Sequence, residues 1–234
     1  MSEYKTLREQ AFEANLEIPK QGLAIYTWGN VSAFDSAAGV FAIKPSGVSY
    51  GDLTADSMVV VDLEGKIVWG KLKPSSDTDT HMVLYKEFPG IGGVTHTHST
   101  FATAWAQAGR VVPVLGTTHA DHGAEGIPCT DFLSEEAVKN AYEYETGKLI
   151  TGTFKTQDKN PLFLQMVLVA GHGPFTWGSD AAKSVYNAAV LEEICKMAFI
   201  TLQINSKTDS LPPHIINKHW ERKHGPGAYY GQTK

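Results

Sequence analysis

The chain has 234 residues, of which 42% are hydrophobic and 19% are charged, and its formal net charge is -5 at pH 7. A chain of this length buries a sizeable core without disulfides or structural metals, and we expect residues 1–234 to form a single domain. The negative charge argues against a nucleic-acid partner. Cys129 and Cys195 lie far apart and outside any CxxC motif, as is typical of buried thiols in a reducing compartment.

The first 21 residues are charged throughout and lack the apolar core of a signal peptide. Their apolar side chains fall roughly on one face, which predicts a helix that ends at Pro19 to Gly22. That face comprises Leu7, Phe12, Ala14 and Leu16. The apolar runs elsewhere are much shorter than the roughly 20 residues that cross a bilayer, so we expect a cytoplasmic protein with no membrane partner.

Short apolar runs broken by glycine and proline predict β-strands in the segments 39–47, 57–70 and 92–99. The second run predicts a hairpin, because the valines at 59–61 precede a turn at Glu64 and Gly65 and a second apolar run.

Helical spacing predicts helices over 77–88, 134–150 and 180–205, with Asp77 as the N-cap of the first. The segment 166–178 is interpreted as a buried strand and its exit loop. Strands and helices alternate, yet the hairpin excludes a purely parallel sheet. We therefore predict an α/β fold with a mixed sheet and helices packed on its faces.

The segment Gly92–Trp105 places two histidines one residue apart, before a helix-like stretch. In an extended strand His96 and His98 point to the same face, with Thr97 on the other. His172 lies between Gly171 and Gly173, where an apolar strand ends. Three neutral imidazoles at strand ends are typical of an open, catalytic site for a divalent metal such as zinc, and Asp77 is a candidate fourth ligand.

Other interpretations of these histidines remain open. A histidine beside a strand is often a hydrogen-bonded core residue, and an HxH pair alone is only moderately specific for a metal site. A cupin would place a glutamate a few residues later, where this chain has Ser99, Thr100 and Phe101. An amidohydrolase barrel would be longer than this chain.

Three turns are suited to binding an anion: TWGNVS at 27–32, IKPSGVSY at 43–50 and KPSSDTDTH at 73–81. Their backbone amides and polar side chains are candidates for a phosphate cradle, although each turn alone is more often just a loop. The side chains are those of Asn30, Lys44, Ser46, Ser75 and Ser76. The chain has neither a Walker P-loop nor a GxGxxG motif, so nucleotide binding is not indicated.

The polar, glycine-rich segment 116–129 places Asp121 between two histidines. Asp121 is a candidate general acid or base, and a solvated turn is the alternative. The tail, 216–234, contains Trp220, Tyr229 and Tyr230 among basic residues. Its aromatic area is sufficient to dock on its own subunit or on a neighbour, bringing a phenol or imidazole to a pocket.

Taken together and in order, these motifs resemble the class II aldolase/adducin-like family over nearly the whole chain, with the tail KHGPGAYYGQ as a further match. The resemblance implies a three-layer α/β/α fold around a mixed central sheet. It also implies a homotetramer with active sites at subunit interfaces, completed by the C-terminal tail. One zinc ion per subunit is implied at His96, His98 and His172, with Asp77 at the carboxylate position that is a glutamate in the related aldolases.

The same resemblance implies a sugar-phosphate substrate and assigns the remaining site residues. The phosphate positions match Gly29, Asn30, Ser46, Gly47, Ser75 and Ser76, with Lys44 nearby. The acid/base pair matches Asp121 and Tyr230, and His219 is a further tail residue near the site, donated by an adjacent subunit.

The reaction implied is the interconversion of L-ribulose 5-phosphate and D-xylulose 5-phosphate through cleavage and re-formation of the C3–C4 bond, in arabinose or ascorbate catabolism. Two alternatives remain. One is an aldolase of the same family that releases the aldehyde, and the other is a non-catalytic, adducin-like interaction module.

Overall fold

The fold was determined as a computed structural model, which describes residues 3–229. Its strands are β1 (Asn30–Asp35), β2 (Val40–Ile43), β3 (Val59–Asp62), β4 (Ile67–Trp69), β5 (Gly93–His96), β6 (Met166–Val169) and β7 (Gly173–Gly178). They form one sheet in the order β4-β3-β2-β1-β5-β7-β6, and every neighbouring pair is antiparallel. Within the described residues, an isolated parallel bridge joins Cys129 to Leu168 outside the strand pairs, so the seven strands form an antiparallel sheet and not the predicted mixed one.

The helices are α1 (Lys5–Lys20), α2 (Thr78–Glu87), α3 (Thr100–Gln107), α4 (Thr117–Ala120), α5 (Glu135–Thr156), α6 (Ala181–Ile204) and α7 (Pro213–His224), with a short 3-10 helix at Ala55–Ser57. The predicted helices at 77–88 and 180–205 are confirmed, and the one predicted at 134–150 extends to Thr156. In residues 3–229, no helix combines the length and apolar character needed to cross a membrane.

The strands separate two apolar cores, because alternate side chains point to opposite faces. In β2, Val40 and Ala42 pack with α1, whereas Phe41 and Ile43 pack with α2. Helix α1 contacts α6, and α2 contacts α5. The first core contains α1 and the start of α6, and the second contains α2, α3, α5 and the rest of α6. This three-layer α/β/α arrangement confirms the expected fold class.

Two local predictions are wrong. The buried face of α1 includes Leu7, Ala11, Ala14 and Ile18, whereas Phe12 and Leu16 are only partly buried. The expected exit loop after β6 is a strand, β7, and His172 lies in the turn between the two. Gly173 and Pro174 favour a loop locally, but pairing with β5 on one side and β6 on the other fixes this segment as a strand.

The site lies at one end of the strands, at the edge of the sheet where antiparallel strands alternately begin and end. Asn30, which starts β1, pairs with His96, which ends β5. Two glycines permit close approach of the backbone there. A Cβ at Gly29 would lie 2.8 Å from the carbonyl oxygen of His96, and one at Gly173 would lie 2.9 Å from that of Thr97. Gly29 also has φ +81°, a conformation that other residues rarely adopt.

Candidate functional site

A cavity of about 630 Å³ opens at this edge of the sheet. Its walls include every residue that the sequence assigned to the metal and to the phosphate: Gly29, Asn30, Lys44, Ser46, Gly47, Ser75, Ser76, Asp77, His96, His98 and His172. The chain brings these residues together from four strand ends and the N-terminus of α2. Their individual roles stay predictions.

The three histidines converge. Their candidate ligand atoms lie within 4.8 Å of one another, and the Nε2 atoms of His96 and His98 are 3.1 Å apart. His96 Nδ1 donates to the carbonyl oxygen of Pro174 at 2.9 Å, which leaves the Nε2 lone pair facing the cluster. At this separation either one nitrogen donates a hydrogen bond to the other, or both lone pairs face one bound cation. The donor set fits a divalent metal such as zinc with a position left for substrate.

The protonation states support the same conclusion. Burial lowers the pKa of His98, and the neighbouring His96 lowers it further. Burial likewise lowers the pKa of His172 to about 4, with further contributions from His96 and His98. These imidazoles are therefore neutral at pH 7 and offer lone pairs. Within the described chain, His172 Nδ1 is buried without a hydrogen-bond partner, as expected of a group that awaits a ligand.

Asp77 occupies the N-cap position of α2, but its side chain does not cap the helix. Its Oδ2 instead accepts a hydrogen bond from Asn30 Nδ2 at 2.7 Å. Burial raises the pKa of Asp77, yet His96, His81 and the Asn30 hydrogen bond together bring it below its usual value. Asp77 is thus an anion that lines the cavity. Its carboxylate is not part of the group of candidate ligand atoms that lie within 4.8 Å of one another, which belong to the three imidazoles.

Another part of the cavity lining is basic and hydroxyl-rich. Lys44 is only 2% exposed, and burial lowers its pKa. Its Nζ lies 3.4 Å from the Pro45 carbonyl oxygen and 5.2 Å from the centre of the Tyr50 ring. In the described structure, no carboxylate oxygen lies within 4.0 Å of this ammonium group, so its charge is available to a ligand.

Two loops are joined to form this wall. Ser75 N donates to the Lys44 carbonyl at 2.9 Å, and Ser46 N donates to the Lys73 carbonyl at 2.9 Å. This pairing brings the hydroxyls of Ser46 and of the α2 N-terminal serines to one place. A helix N-terminus, an ammonium group and several hydroxyls together suit a phosphate.

Residues 9–199 match the Class II Aldolase and Adducin N-terminal domain family. The chain belongs to this family.

Solved structures share the class II aldolase fold at low sequence identity. An L-fuculose 1-phosphate aldolase has a TM-score of 0.77 at 21% identity, covering 93% of this chain and 95% of that one. YgbL from Escherichia coli, a putative aldolase/epimerase/decarboxylase, has a TM-score of 0.72 at 24% identity, covering 92% and 97%. YgbL from Klebsiella pneumoniae has a TM-score of 0.72 at 22% identity, covering 91% and 97%.

The sequence did not single out Tyr142 and Glu143, which also line the cavity of this class II aldolase-family chain. Helix α5 is broken at Ala141, which has φ -159° and ψ 70°. Thr80 Oγ1 donates to the Glu143 carbonyl at 2.6 Å, and the Tyr142 ring centre lies 6.0 Å from that of His172. Neither glycine nor proline marks the break, so no local signal in the sequence predicts it.

Asp121 belongs to a second cluster, outside the described lining of the cavity. Its Oδ1 accepts hydrogen bonds from His219 Nδ1 at 3.0 Å and from Arg222 Nε at 2.9 Å. Lys223 Nζ lies 3.8 Å from Oδ2, and His224 Nε2 is 3.0 Å from the Asp121 carbonyl oxygen. Burial raises the pKa of Asp121, but the hydrogen bonds from Arg222 and His219 hold it below its usual value.

The tail is therefore docked on its own chain as helix α7, through its basic residues. Trp220 packs edge-on against Phe163 at 5.9 Å and stacks on His224 at 4.0 Å. The other predicted catalytic residue, Tyr230, lies outside the described residues.

Proposed function

We propose that this class II aldolase-family chain is an L-ribulose-5-phosphate 4-epimerase, which interconverts L-ribulose 5-phosphate and D-xylulose 5-phosphate in arabinose or ascorbate catabolism in the cytoplasm. One observation carries the proposal: the three-histidine cluster and the wall bearing Lys44 and the serines belong to one cavity. A small phosphorylated sugar that presents neighbouring oxygens to a metal suits such a cavity. The resemblance of the motifs selects the epimerase among the enzymes of the family.

The substrate dictates the chemistry. The C4 proton of a ketopentose phosphate is not acidic, because no carbonyl group is adjacent to C4. Cleavage of the C3–C4 bond leaves an enediolate and an aldehyde, which rotates and is attacked again on its other face. Such a reaction needs stabilisation of an electron-rich oxygen and proton exchange at the C4 oxygen, and it needs no redox cofactor.

A divalent ion held by His96, His98 and His172 would supply Lewis-acid stabilisation of the charge that develops on the sugar oxygens. The protein's contribution to this half of the site is orientation. The Pro174 carbonyl and the stacked ring of Phe175, 4.2 Å away, fix the His96 imidazole. Asp77, held by Asn30, contributes a negative charge beside the cluster.

Lys44, the serines and the α2 N-terminus would hold the phosphate and so place the sugar carbons against the histidines. The ammonium group of Lys44 and the positive end of the α2 dipole both favour the dianion. Gly29 and Gly47 allow the backbone of their turns to approach it closely.

For the proton transfers, we propose Asp121 and Tyr230 on opposite faces of the aldehyde, with His219 nearby. Asp121 and His219 lie together but away from the cavity of their own chain. This arrangement supports a homotetramer in which one subunit's acid/base cluster serves a neighbour's cavity.

The alternative within the family is an aldolase that releases the aldehyde. One similar solved structure is named as an L-fuculose 1-phosphate aldolase. Asp77 in place of the longer glutamate of those aldolases favours the epimerase. A non-catalytic adducin-like module would have no use for three converging histidines.

The test combines metal analysis with a coupled assay on L-ribulose 5-phosphate. We expect about one divalent ion per chain, formation of D-xylulose 5-phosphate and loss of activity with a chelator. Free glycolaldehyde with no xylulose 5-phosphate would establish the aldolase instead. Protein that contains no divalent ion and converts no sugar phosphate would support the interaction module.

A further inference from the structure

We propose that Glu192 on α6 is a positioning residue for the metal site, because it holds the helix that begins directly after the histidine doublet. The inference rests on the proposed metal-dependent function. Helix α3 begins at Thr100, two residues after His98. The position of its first turn therefore constrains the backbone at His98.

Glu192 binds the first turn of α3 with both carboxylate oxygens. Oε1 accepts from the backbone N–H of Phe101 at 2.8 Å, and Oε2 accepts from that of Ala102 at 2.8 Å. The N–H groups of a first helical turn have no partner within the helix, and a negative charge there is favoured by the helix dipole. Charge-assisted hydrogen bonds of this kind are stronger than neutral ones.

The local sequence does not supply this cap. Ser99 occupies the N-cap position of α3, but its side chain makes no capping hydrogen bond, and its Oγ is buried without a partner in the described chain. A distant carboxylate therefore replaces the usual serine cap. The consequence is that the start of α3 is fixed by α6 and not by its own sequence.

Helix α6 also holds the rest of the histidine framework. Trp105 Nε1, one turn farther along α3, donates to the Cys195 carbonyl at 3.0 Å. Ser184 binds Thr95 Oγ1 at 2.7 Å, and its carbonyl accepts from Thr176 Oγ1 at 2.8 Å. These contacts attach β5 and β7 to α6. Glu192 attaches the start of α3 to the same helix, so the chain before His98 and the chain after it are both held by α6.

His98 depends most on this frame. His96 is buried and hydrogen-bonded to Pro174, whereas His98 is partly buried, is the most exposed of the three histidines and lies beyond the end of β5. When Glu192 is lost, we expect the first turn of α3 to loosen and His98 to leave its ligand position more often. The affinity for zinc then falls, while β5 keeps His96 in place.

The experiment measures zinc affinity directly, in full-length protein stripped with a chelator and titrated at pH 7.5 against a chromophoric competitor. The variants are Glu192→Ala and Glu192→Gln, with Glu193→Gln as the matched control. Glu193 is the next residue on α6, and its carboxylate lies 3.9 Å from Lys196 on the same helix. The melting temperature of each metal-free variant is measured in parallel.

We expect the zinc dissociation constant to rise about tenfold in Glu192→Ala, as when a partner of a metal ligand is removed. It rises less in the nearly isosteric Glu192→Gln, which keeps one acceptor oxygen, and does not change in Glu193→Gln. A purely structural role would lower the melting temperature of metal-free Glu192→Ala and leave its zinc affinity intact.

Zinc binding within twofold of wild type in both Glu192 variants overturns this inference and leaves the proposed function standing. An equal loss in Glu193→Gln also overturns it. Absence of zinc binding in the wild type overturns the proposed function, and the inference with it.

Discussion

The cavity and the Asp121 cluster contain similar polar side chains, but these side chains differ in their hydrogen-bond partners. In the cavity, the buried atoms Asn30 Oδ1 and His172 Nδ1 have no hydrogen-bond partner within the described residues. Around Asp121, one carboxylate binds His219 and Arg222, with Lys223 close by. Buried polar groups without partners are costly, which favours ligand binding in the cavity, whereas the Asp121 carboxylate already has partners within its own chain.

The difference assigns the two regions different work. Under the proposed function, the cavity would bind the metal and the sugar phosphate and polarise the sugar oxygens. The Asp121 cluster secures an ionised carboxylate and at the same time fixes α7, so its integrity and its chemistry cannot be separated. Substitutions in the two regions should therefore have distinct signatures.

The largest effect is expected for His98→Ala. Removal of one of three imidazoles should empty the metal site and lower turnover by about 10³-fold or more, because metal-dependent charge stabilisation is worth several kcal/mol. Metal content measured by mass spectrometry tests this. The control is His214→Ala on the exposed side of α7, which should keep the full metal content. Wild-type zinc in His98→Ala would break the assignment of the cavity as the metal site.

Asp121→Asn should lower epimerisation by about 10²- to 10⁴-fold through loss of acid/base catalysis, and Tyr230→Phe should act in the same direction. Both should retain wild-type metal content, since neither residue is a proposed ligand. The exposed Asp131→Asn serves as control for a change of charge. Loss of zinc in Asp121→Asn would contradict the separation of the two regions.

A smaller effect is expected for Lys44→Met, which removes the buried ammonium group from the part of the cavity proposed to bind the phosphate. A hydrogen bond to a charged group is worth about 1.5–3 kcal/mol, so KM for the sugar phosphate should rise roughly 10- to 150-fold with little change in metal content. Lys73→Met is the matched control, because the Lys73 side chain is exposed and only its backbone carbonyl holds the loop. A fall in kcat at unchanged KM would instead place Lys44 in the chemical step.

The pH dependence of phosphate binding sharpens the same point. Because burial lowers the pKa of Lys44, affinity for the sugar phosphate should weaken as the pH rises through that lowered value. The Lys44→Met variant should lose this dependence, which is measured as KM against pH.

The smallest effect concerns the stability of the metal-free protein in acid. Burial lowers the pKa of His119, next to the Asp121 cluster, to about 4 and that of His81, next to Asp77, to about 3. In the unfolded chain a histidine titrates near pH 6.5. Just below that pH, His119 and His81 therefore take up protons in the unfolded chain but not in the folded one. Each of these histidines should then lower the free energy of unfolding as the pH falls below 6.5, with a slope that approaches about 1.4 kcal/mol per pH unit toward pH 5.

Urea unfolding in the presence of a chelator, at several pH values, measures this loss. His119→Gln should reduce the slope because one buried imidazole is removed. A slope unchanged in this variant would show that His119 does not resist protonation in the folded chain.

The sequence predicted the cavity better than the fold around it. The histidine doublet, the glycine-flanked His172 and the three turns were singled out because each has a local pattern, namely the strand period or a turn composition. All of them contribute to the lining of one cavity, and their roles stay predictions. Strand β1 was missed because Asn30, Ser32 and Asp35 disfavour strands locally, and pairing with β2 and β5 overrides that preference. The break at Ala141 and the docking of α7 on Asp121 depend on distant partners, and no local pattern encodes them.

The order in which the chain assembles follows from the placement of the three histidines. Two belong to the end of β5 and the third to the turn between β6 and β7, so they meet only after β7 has paired with β5. A bound cation would therefore hold the β6–β7 hairpin against β5. Its removal should let that hairpin exchange its amide protons well before the rest of the sheet opens.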